Sequence, residues 1–101
     1  MIHVLLCCSN GMSTSILVKK MQAAALEKGM EAEIWAVSKV DLPAHMDKAD
    51  IILLGPQIRF ALNEIKNEVG ESKPVDVIDI MDYGTMNGSK VLDLALQKLG
   101  K

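Results

Sequence analysis

The chain has 101 residues, half of them hydrophobic, and a formal net charge of −2 with acidic and basic residues interspersed. This length suits one compact domain covering residues 1–101, and the mixed charge argues against a nucleic acid or an anionic membrane surface as a partner. The longest apolar runs, such as residues 51–54, are far too short to cross a bilayer. We therefore expect a soluble cytoplasmic protein that does not insert directly into a membrane and whose two cysteines are reduced.

Predicted strands and helices alternate along the chain. Apolar or alternating runs predict strands at residues 2–7, 32–37, 50–54 and 75–80. Apolar residues at helical spacing predict three helices, one after a loop at residues 9–15, one through residues 58–69 and one through residues 92–99. Gly29 and Gly70 are expected to end the first two helices, because glycine tolerates the left-handed conformation found there.

This order of elements indicates an α/β fold with a parallel sheet covered by helices on both faces. Right-handed crossovers leave few arrangements, and the one we expect is a flavodoxin-like sheet with strand order 2-1-3-4. Ligands of such sheets bind beyond the carboxyl ends of the strands, where the order reverses. The segments that begin at Cys8 and at Gly55 are both predicted to lie there.

The segment of residues 8–15, Cys-Ser-Asn-Gly-Met-Ser-Thr-Ser, carries the strongest chemical signal. Gly11 can take a positive φ, which turns successive N–H groups inward at the start of a helix and favours a bound anion. The same field should favour a thiolate at Cys8, which would be a nucleophile aimed at phosphorus. The alternative to a nucleophile at Cys8 is a small cysteine of the core, followed by residues that only cap a helix. We favour the core interpretation for Cys7.

A comparison with cysteine phosphatases argues against hydrolysis as the reaction of this chain. Their Cys-x₅-Arg loop would require an arginine at position 14 to clamp the phosphoryl oxygens, and this chain has Thr14 there. Asp79 and Asp82 are possible acids, although capping or solvating their loop is the expected role. His3 and His45 should lie on the opposite side of the sheet from Cys8, which argues against a Cys–His pair for acyl transfer.

Four segments resemble the enzyme IIB components of the lactose/cellobiose (chitobiose) class of the sugar phosphotransferase system. They are residues 8–15, residues 52–58 (Ile-Leu-Leu-Gly-Pro-Gln-Ile), residues 74–79 (Pro-Val-Asp-Val-Ile-Asp) and the pair Tyr83-Gly84. One departure is Asn10, where a small residue such as alanine is common.

The resemblance implies a phosphoryl carrier that uses no cofactor or metal. Cys8 would accept the group from a phosphohistidine of the IIA component and donate it to a sugar held by the membrane-embedded IIC permease. The sugar would be a β-linked disaccharide such as cellobiose, chitobiose or lactose. The phosphate-binding residues would be Ser9, Asn10, Gly11, Met12, Ser13, Thr14 and Ser15.

Several roles stay open on sequence alone. Gln57 and Tyr83 are candidates for contacts with the loop or a partner, or else they shape a turn and pack. Met12 and Ile58 are candidates for an apolar docking patch, with core packing as the alternative for Ile58. The competing functions are a cysteine phosphatase or arsenate-reductase-like enzyme, and a non-catalytic anion-binding module.

Overall fold

The structure is a computed structural model that describes residues 1–8 and 12–100, and the side chains of residues 1–8 and 14–100. The strands are β1 (Ile2–Cys8), β2 (Ala32–Ser38), β3 (Ile51–Leu54) and β4 (Val75–Val77). The α-helices are α1 (Met12–Glu27), α2 (Leu62–Val69), α3 (Ile80–Gly84) and α4 (Gly88–Lys98). Two 3-10 segments, Leu42–Ala44 and Pro56–Ala61, lie on either side of β3. None of the helices in these ranges is long and apolar enough to span a membrane.

The four strands form one parallel sheet in the order β2-β1-β3-β4. This confirms the predicted flavodoxin-like arrangement. β1 lies between β2 and β3, with Cys7 opposite both Val37 and Leu54, and Cys8 opposite Ser38. The carboxyl ends of all four strands therefore meet at one edge of the sheet, and the strand order reverses there between β1 and β3.

Each face of the sheet is covered by its own apolar cluster. Along β1, Val4 and Leu6 belong to the cluster shared with α1 and α4, whereas Leu5 and Cys7 belong to the cluster on the other face. The second cluster includes Ile65 of α2. This alternation follows from the two-residue period of a strand, and it confirms that helices pack on both faces.

Several boundaries differ from the predicted ones, and α4, for example, begins at Gly88 rather than at residue 92. β4 ends at Val77 rather than at residue 80, because Asp79 caps a short helix that the sequence pattern did not reveal. The second predicted helix begins as the 3-10 segment Pro56–Ala61, and α2 proper covers its second half. The first helix begins within the predicted loop, at Met12.

Candidate functional site at the end of β1

The backbone of Cys8 is held from both sides. Its carbonyl oxygen accepts a hydrogen bond from the Lys39 N–H at 3.1 Å, just beyond β2. The preceding carbonyl, that of Cys7, accepts from the Gly55 N–H at 2.8 Å, just beyond β3. Cys8 is the last residue of β1, one of the two inner strands, so the residues just beyond the two neighbouring strands fix the position of its backbone.

Helix α1 begins four residues after Cys8 and brings Thr14 to the cysteine. Thr14 is fully buried, and its Oγ1 lies 3.1 Å from the Cys8 Sγ, within hydrogen-bonding distance. The amino end of a helix carries a partial positive charge. Since α1 starts close to the end of β1, this end of the helix favours negative charge near the Cys8 sulfur.

Cys7 lies in a different environment. Its side chain is fully buried in the cluster on the other face of the sheet, next to residues such as Leu5 and Leu54. Burial raises the pKa of the Cys7 thiol from 9.0 to about 11, the neighbouring Cys8 adds to this, and the positive charge of Lys39 opposes it. Cys7 is therefore a neutral core residue at physiological pH, as the sequence indicated.

Gly55 makes room for a side chain beside Cys8. A β-carbon at Gly55 would lie 2.7 Å from the Gln57 Oε1 and 3.3 Å from the Cys8 Cβ. The absence of a side chain at Gly55 lets the Gln57 amide fold back toward the end of β1. The sequence predicts this glycine only as the end of a strand. No signal in the sequence distinguishes a glycine that allows such a close approach from an ordinary turn glycine.

The remaining predicted site residues fall into three groups. Ser9, Asn10 and Gly11 lie outside the described residues. Met12 and Ser13 belong to the first turn of α1, with side chains outside the described set, and Ser15 is exposed on the same helix.

Tyr83 and Ile58 are core residues. Tyr83 is 6% exposed, and its hydroxyl has no hydrogen-bond partner within the described part of the chain. Ile58 is 3% exposed and packs in the cluster that contains Cys7. The suggestion that Ile58 contributes to a docking patch is therefore wrong and the core alternative is correct; the side chain lies inward at a residue where the 3-10 segment is kinked (φ −119°, ψ 26°).

The side chains of the two histidines and of Asp79 have hydrogen-bond partners other than Cys8. The His3 Nδ1 lies 3.1 Å from the Asp50 Oδ2 at the amino end of β1, and the His45 Nδ1 accepts a hydrogen bond from the Trp35 Nε1 at 3.2 Å. The Asp79 carboxylate accepts from the N–H groups of Met81 at 2.8 Å and Asp82 at 3.3 Å. Asp79 is thus a helix cap, as expected.

Exposed apolar side chains follow three of the strands that end at this edge of the sheet. They occupy the segments that follow β2, β3 and β4, and we call them the apolar rim: Val40 (88% exposed), Phe60 (77%), Ile80 (71%) and Met81 (70%). Sequence reasoning did not identify the rim. Exposed apolar side chains in the segments beyond the carboxyl ends of the strands are available for contact with another protein.

Together, the sheet order and the cysteine at the reversal of that order define a flavodoxin-like α/β protein with its candidate site at the end of β1. The family model described as "PTS system, Lactose/Cellobiose specific IIB subunit" matches residues 3–94, and the chain belongs to this family.

Individual relatives agree with this assignment. The oligo-beta-mannoside-specific EIIB component of Bacillus subtilis is 47% identical over 94 residues, covering 92% of this chain and 91% of that protein. The galactose-specific EIIB component of Lactococcus lactis is 46% identical over 99 residues, with 91% of each chain covered. The solution structure of a cellobiose-specific phosphotransferase IIB component from Borrelia burgdorferi has a TM-score of 0.81 and 38% identity, covering 98% of this chain and 92% of that one. The chain is thus a transferase component of the sugar phosphotransferase system, which serves sugar transport.

Proposed function

We propose that this chain is a phosphoryl carrier in which Cys8 accepts the group from a phosphohistidine of a IIA component and donates it to a sugar bound by a IIC permease. The observation that supports this role best is the position of Cys8, at the end of the inner strand β1, beside the amino end of α1 and in contact with Thr14. A nucleophile placed there faces a site suited to an anion.

The chemistry consists of two in-line displacements. The Cys8 thiolate attacks phosphorus on the donor imidazole, so that an S–P bond forms, the P–N bond breaks and its electron pair returns to the ring nitrogen. A sugar hydroxyl oxygen then attacks the same phosphorus, the S–P bond breaks and the thiolate is restored, while the hydroxyl proton leaves to a base on the acceptor side. Residues 9–15 are proposed as the phosphate-binding loop, whose backbone N–H groups would stabilise the equatorial oxygens in both steps.

The partners of this carrier are proteins that dock at the edge of the sheet around Cys8. The apolar rim supports this, because docking the IIA component there would cover exposed apolar side chains and bring its phosphohistidine to Cys8. We propose that the carrier works in the cytoplasm as one domain formed by residues 1–101, without a cofactor or metal.

The sugar is a β-linked disaccharide such as cellobiose, chitobiose or lactose. The family description names lactose and cellobiose, and the solved relative at 38% identity is cellobiose-specific, which supports this class. The relatives at 47% and 46% identity are named for oligo-beta-mannosides and for galactose. In the proposed scheme the IIC permease holds the sugar, so this chain meets only the hydroxyl that is phosphorylated.

The decisive experiment compares the two cysteines. Phosphoryl transfer from phosphorylated IIA to the chain should disappear in Cys8→Ser and persist in Cys7→Ser, because Cys7 is buried on the other face and stays protonated. Mass spectrometry of the phosphorylated protein locates the group. Loss of transfer in Cys7→Ser with retention in Cys8→Ser would refute the assignment.

The main alternative, a cysteine phosphatase or arsenate-reductase-like enzyme, makes a different prediction. Thr14 occupies the place of the phosphatase arginine, and the Asp79 carboxylate is already committed to two backbone N–H groups. A phosphocysteine on this chain should therefore persist after the donor is removed and be discharged only when IIA or IIC with sugar is added. Rapid loss without a partner, together with steady hydrolysis of an aryl phosphate, would favour the phosphatase.

A further inference from the structure

We propose that the Thr14 hydroxyl is a hydrogen-bond donor to the Cys8 sulfur rather than a ligand of the phosphoryl oxygens, and that this bond makes the phosphocysteine a stronger phosphoryl donor. The inference rests on the proposed carrier function. It gives Thr14 a role that differs from the phosphate binding expected of its neighbours in the loop.

The contact is short and shielded from solvent. The Thr14 Oγ1 lies 3.1 Å from the Cys8 Sγ, Thr14 is 0% exposed and Cys8 is 1% exposed. Water therefore has little access to either atom, and a hydrogen bond in such surroundings is stronger than the same bond in water. Helix α1 and strand β1 set the positions of the two side chains, so the contact does not depend on a mobile surface group.

The direction of the bond changes with the state of the sulfur. A thiolate has no proton, so in a hydrogen bond between Thr14 and the nucleophilic form of Cys8 the hydroxyl is the donor and the sulfur is the acceptor. Hydrogen bonds to a charged acceptor are about twice as strong as those between neutral groups. When the S–P bond forms, the charge moves from sulfur to the phosphoryl oxygens, and the sulfur becomes a weak acceptor. The Thr14 bond therefore stabilises the empty carrier more than the loaded one.

This difference favours release of the phosphoryl group. In the second displacement the S–P bond breaks and negative charge returns to sulfur, so the Thr14 hydroxyl stabilises the leaving thiolate as it develops. A phosphatase uses arginine on the oxygens to promote hydrolysis. Here a hydroxyl on the sulfur would promote transfer to a docked acceptor without activating water.

The test uses two substitutions at one position. Thr14→Val keeps the shape of the side chain and removes the donor, while Thr14→Ser keeps the hydroxyl. Each protein is mixed with phosphorylated IIA and the equilibrium ratio of phosphocysteine to phosphohistidine is measured. Thr14→Val should shift this equilibrium toward phosphocysteine by about 10-fold to 100-fold, the range expected for loss of a hydrogen bond to a charged group. Thr14→Ser should stay within about threefold of the original protein.

A second readout is independent of any partner. Alkylation of Cys8 by iodoacetamide at neutral pH should be about three- to tenfold slower in Thr14→Val. Without the donor less of Cys8 is present as thiolate, and the higher intrinsic nucleophilicity of the remaining thiolate offsets only part of this loss. The rate should be restored in Thr14→Ser. Thr14→Ala provides a second variant without a donor, and circular dichroism checks that each variant is folded.

The outcomes separate the two proposals. If the unsubstituted protein cannot be phosphorylated by IIA, the carrier function fails, whatever the alkylation rates show. If it is phosphorylated, but the equilibrium and the alkylation rate are the same with and without the Thr14 hydroxyl, the carrier function stands and the role of Thr14 is refuted. A slower equilibration with an unchanged final ratio would also refute it, since that indicates a purely structural effect.

Discussion

Cys7 and Cys8 are adjacent in sequence, yet the sheet gives them different chemistry. The two-residue period of β1 turns Cys7 into the core on one face, while Cys8 ends the strand beside Thr14 and the start of α1. Burial raises the pKa of Cys7 to about 11, with Cys8 adding to the shift. The adjacent thiols are therefore not interchangeable, and the backbone decides which of them can act as a nucleophile.

The raised pKa of Cys7 predicts a loss of stability at alkaline pH. Because the folded state holds Cys7 neutral up to about pH 11 while the unfolded chain ionises near pH 9.0, its contribution is complete below pH 9 and is lost as pH rises toward 11. The loss should be about 2–3 kcal/mol, since each pKa unit corresponds to roughly 1.4 kcal/mol. Urea unfolding at several pH values between 8 and 11 measures it.

Cys7→Ala is the matched comparison for this titration. Its free energy of unfolding should be lower at neutral pH, because the substitution leaves a small cavity, but it should fall less steeply above pH 9. Lysine and tyrosine titrations are common to both proteins and cancel in the difference. Parallel curves for the two proteins across this range would show that Cys7 ionisation is not coupled to folding.

The packing of α4 against α1 depends on a glycine. A β-carbon at Gly88 would lie 2.5 Å from the Lys20 carbonyl carbon and 2.6 Å from the Met21 nitrogen, both of which are backbone atoms of α1. Gly88→Ala should therefore force the two helices apart and destabilise the protein by about 1–3 kcal/mol. Thermal unfolding should show this as a fall in Tm of roughly 4–8 °C for each kcal/mol.

Gly84→Ala in α3 is the control for this effect. A β-carbon at Gly84 would meet nothing within 4 Å, and the residue is helical. This substitution should leave Tm unchanged or raise it slightly, because it lowers the entropy of the unfolded chain without a clash. Equal losses in the two variants would mean that the interhelical contact at Gly88 is not the cause.

Much of the architecture could be predicted because it depends on local patterns. Apolar periodicity identified the four strands and the buried stripe of α1, and Gly29 (φ 68°) and Gly70 (φ 71°) both follow their helices with a positive φ. The end of β4 could not be predicted in the same way. Ile78 and Ile80 continue the apolar pattern, but the Asp79 carboxylate captures two N–H groups and starts α3 instead.

The place of Cys8 in the sheet was predictable, and the contacts around it were not. The apolar run of residues 2–7 placed Cys8 at the carboxyl end of β1, whereas its contact with Thr14 depends on how α1 packs against that strand. The approach of Gln57 over Gly55 depends on how two distant strands align, and the exposure of Phe60 depends on a 3-10 segment with a kink at Ile58. Neither leaves a periodic signal in the sequence.

The distribution of exposed apolar side chains across the whole molecule predicts where a partner docks. Phe60 belongs to the apolar rim and is 77% exposed, while Leu26 is 80% exposed near the end of α1, at the opposite edge of the sheet. Phe60→Asp should lower kcat/KM for phosphoryl transfer from IIA by about 30-fold or more, as expected for a residue central to an interface. Leu26→Asp adds the same charge to an equally exposed position and should leave the rate unchanged.

Both variants should keep the unfolding free energy of the original protein, since neither side chain is buried. Equal effects of the two substitutions would indicate a general response to added negative charge, and an unaltered rate in Phe60→Asp would show that IIA docks elsewhere.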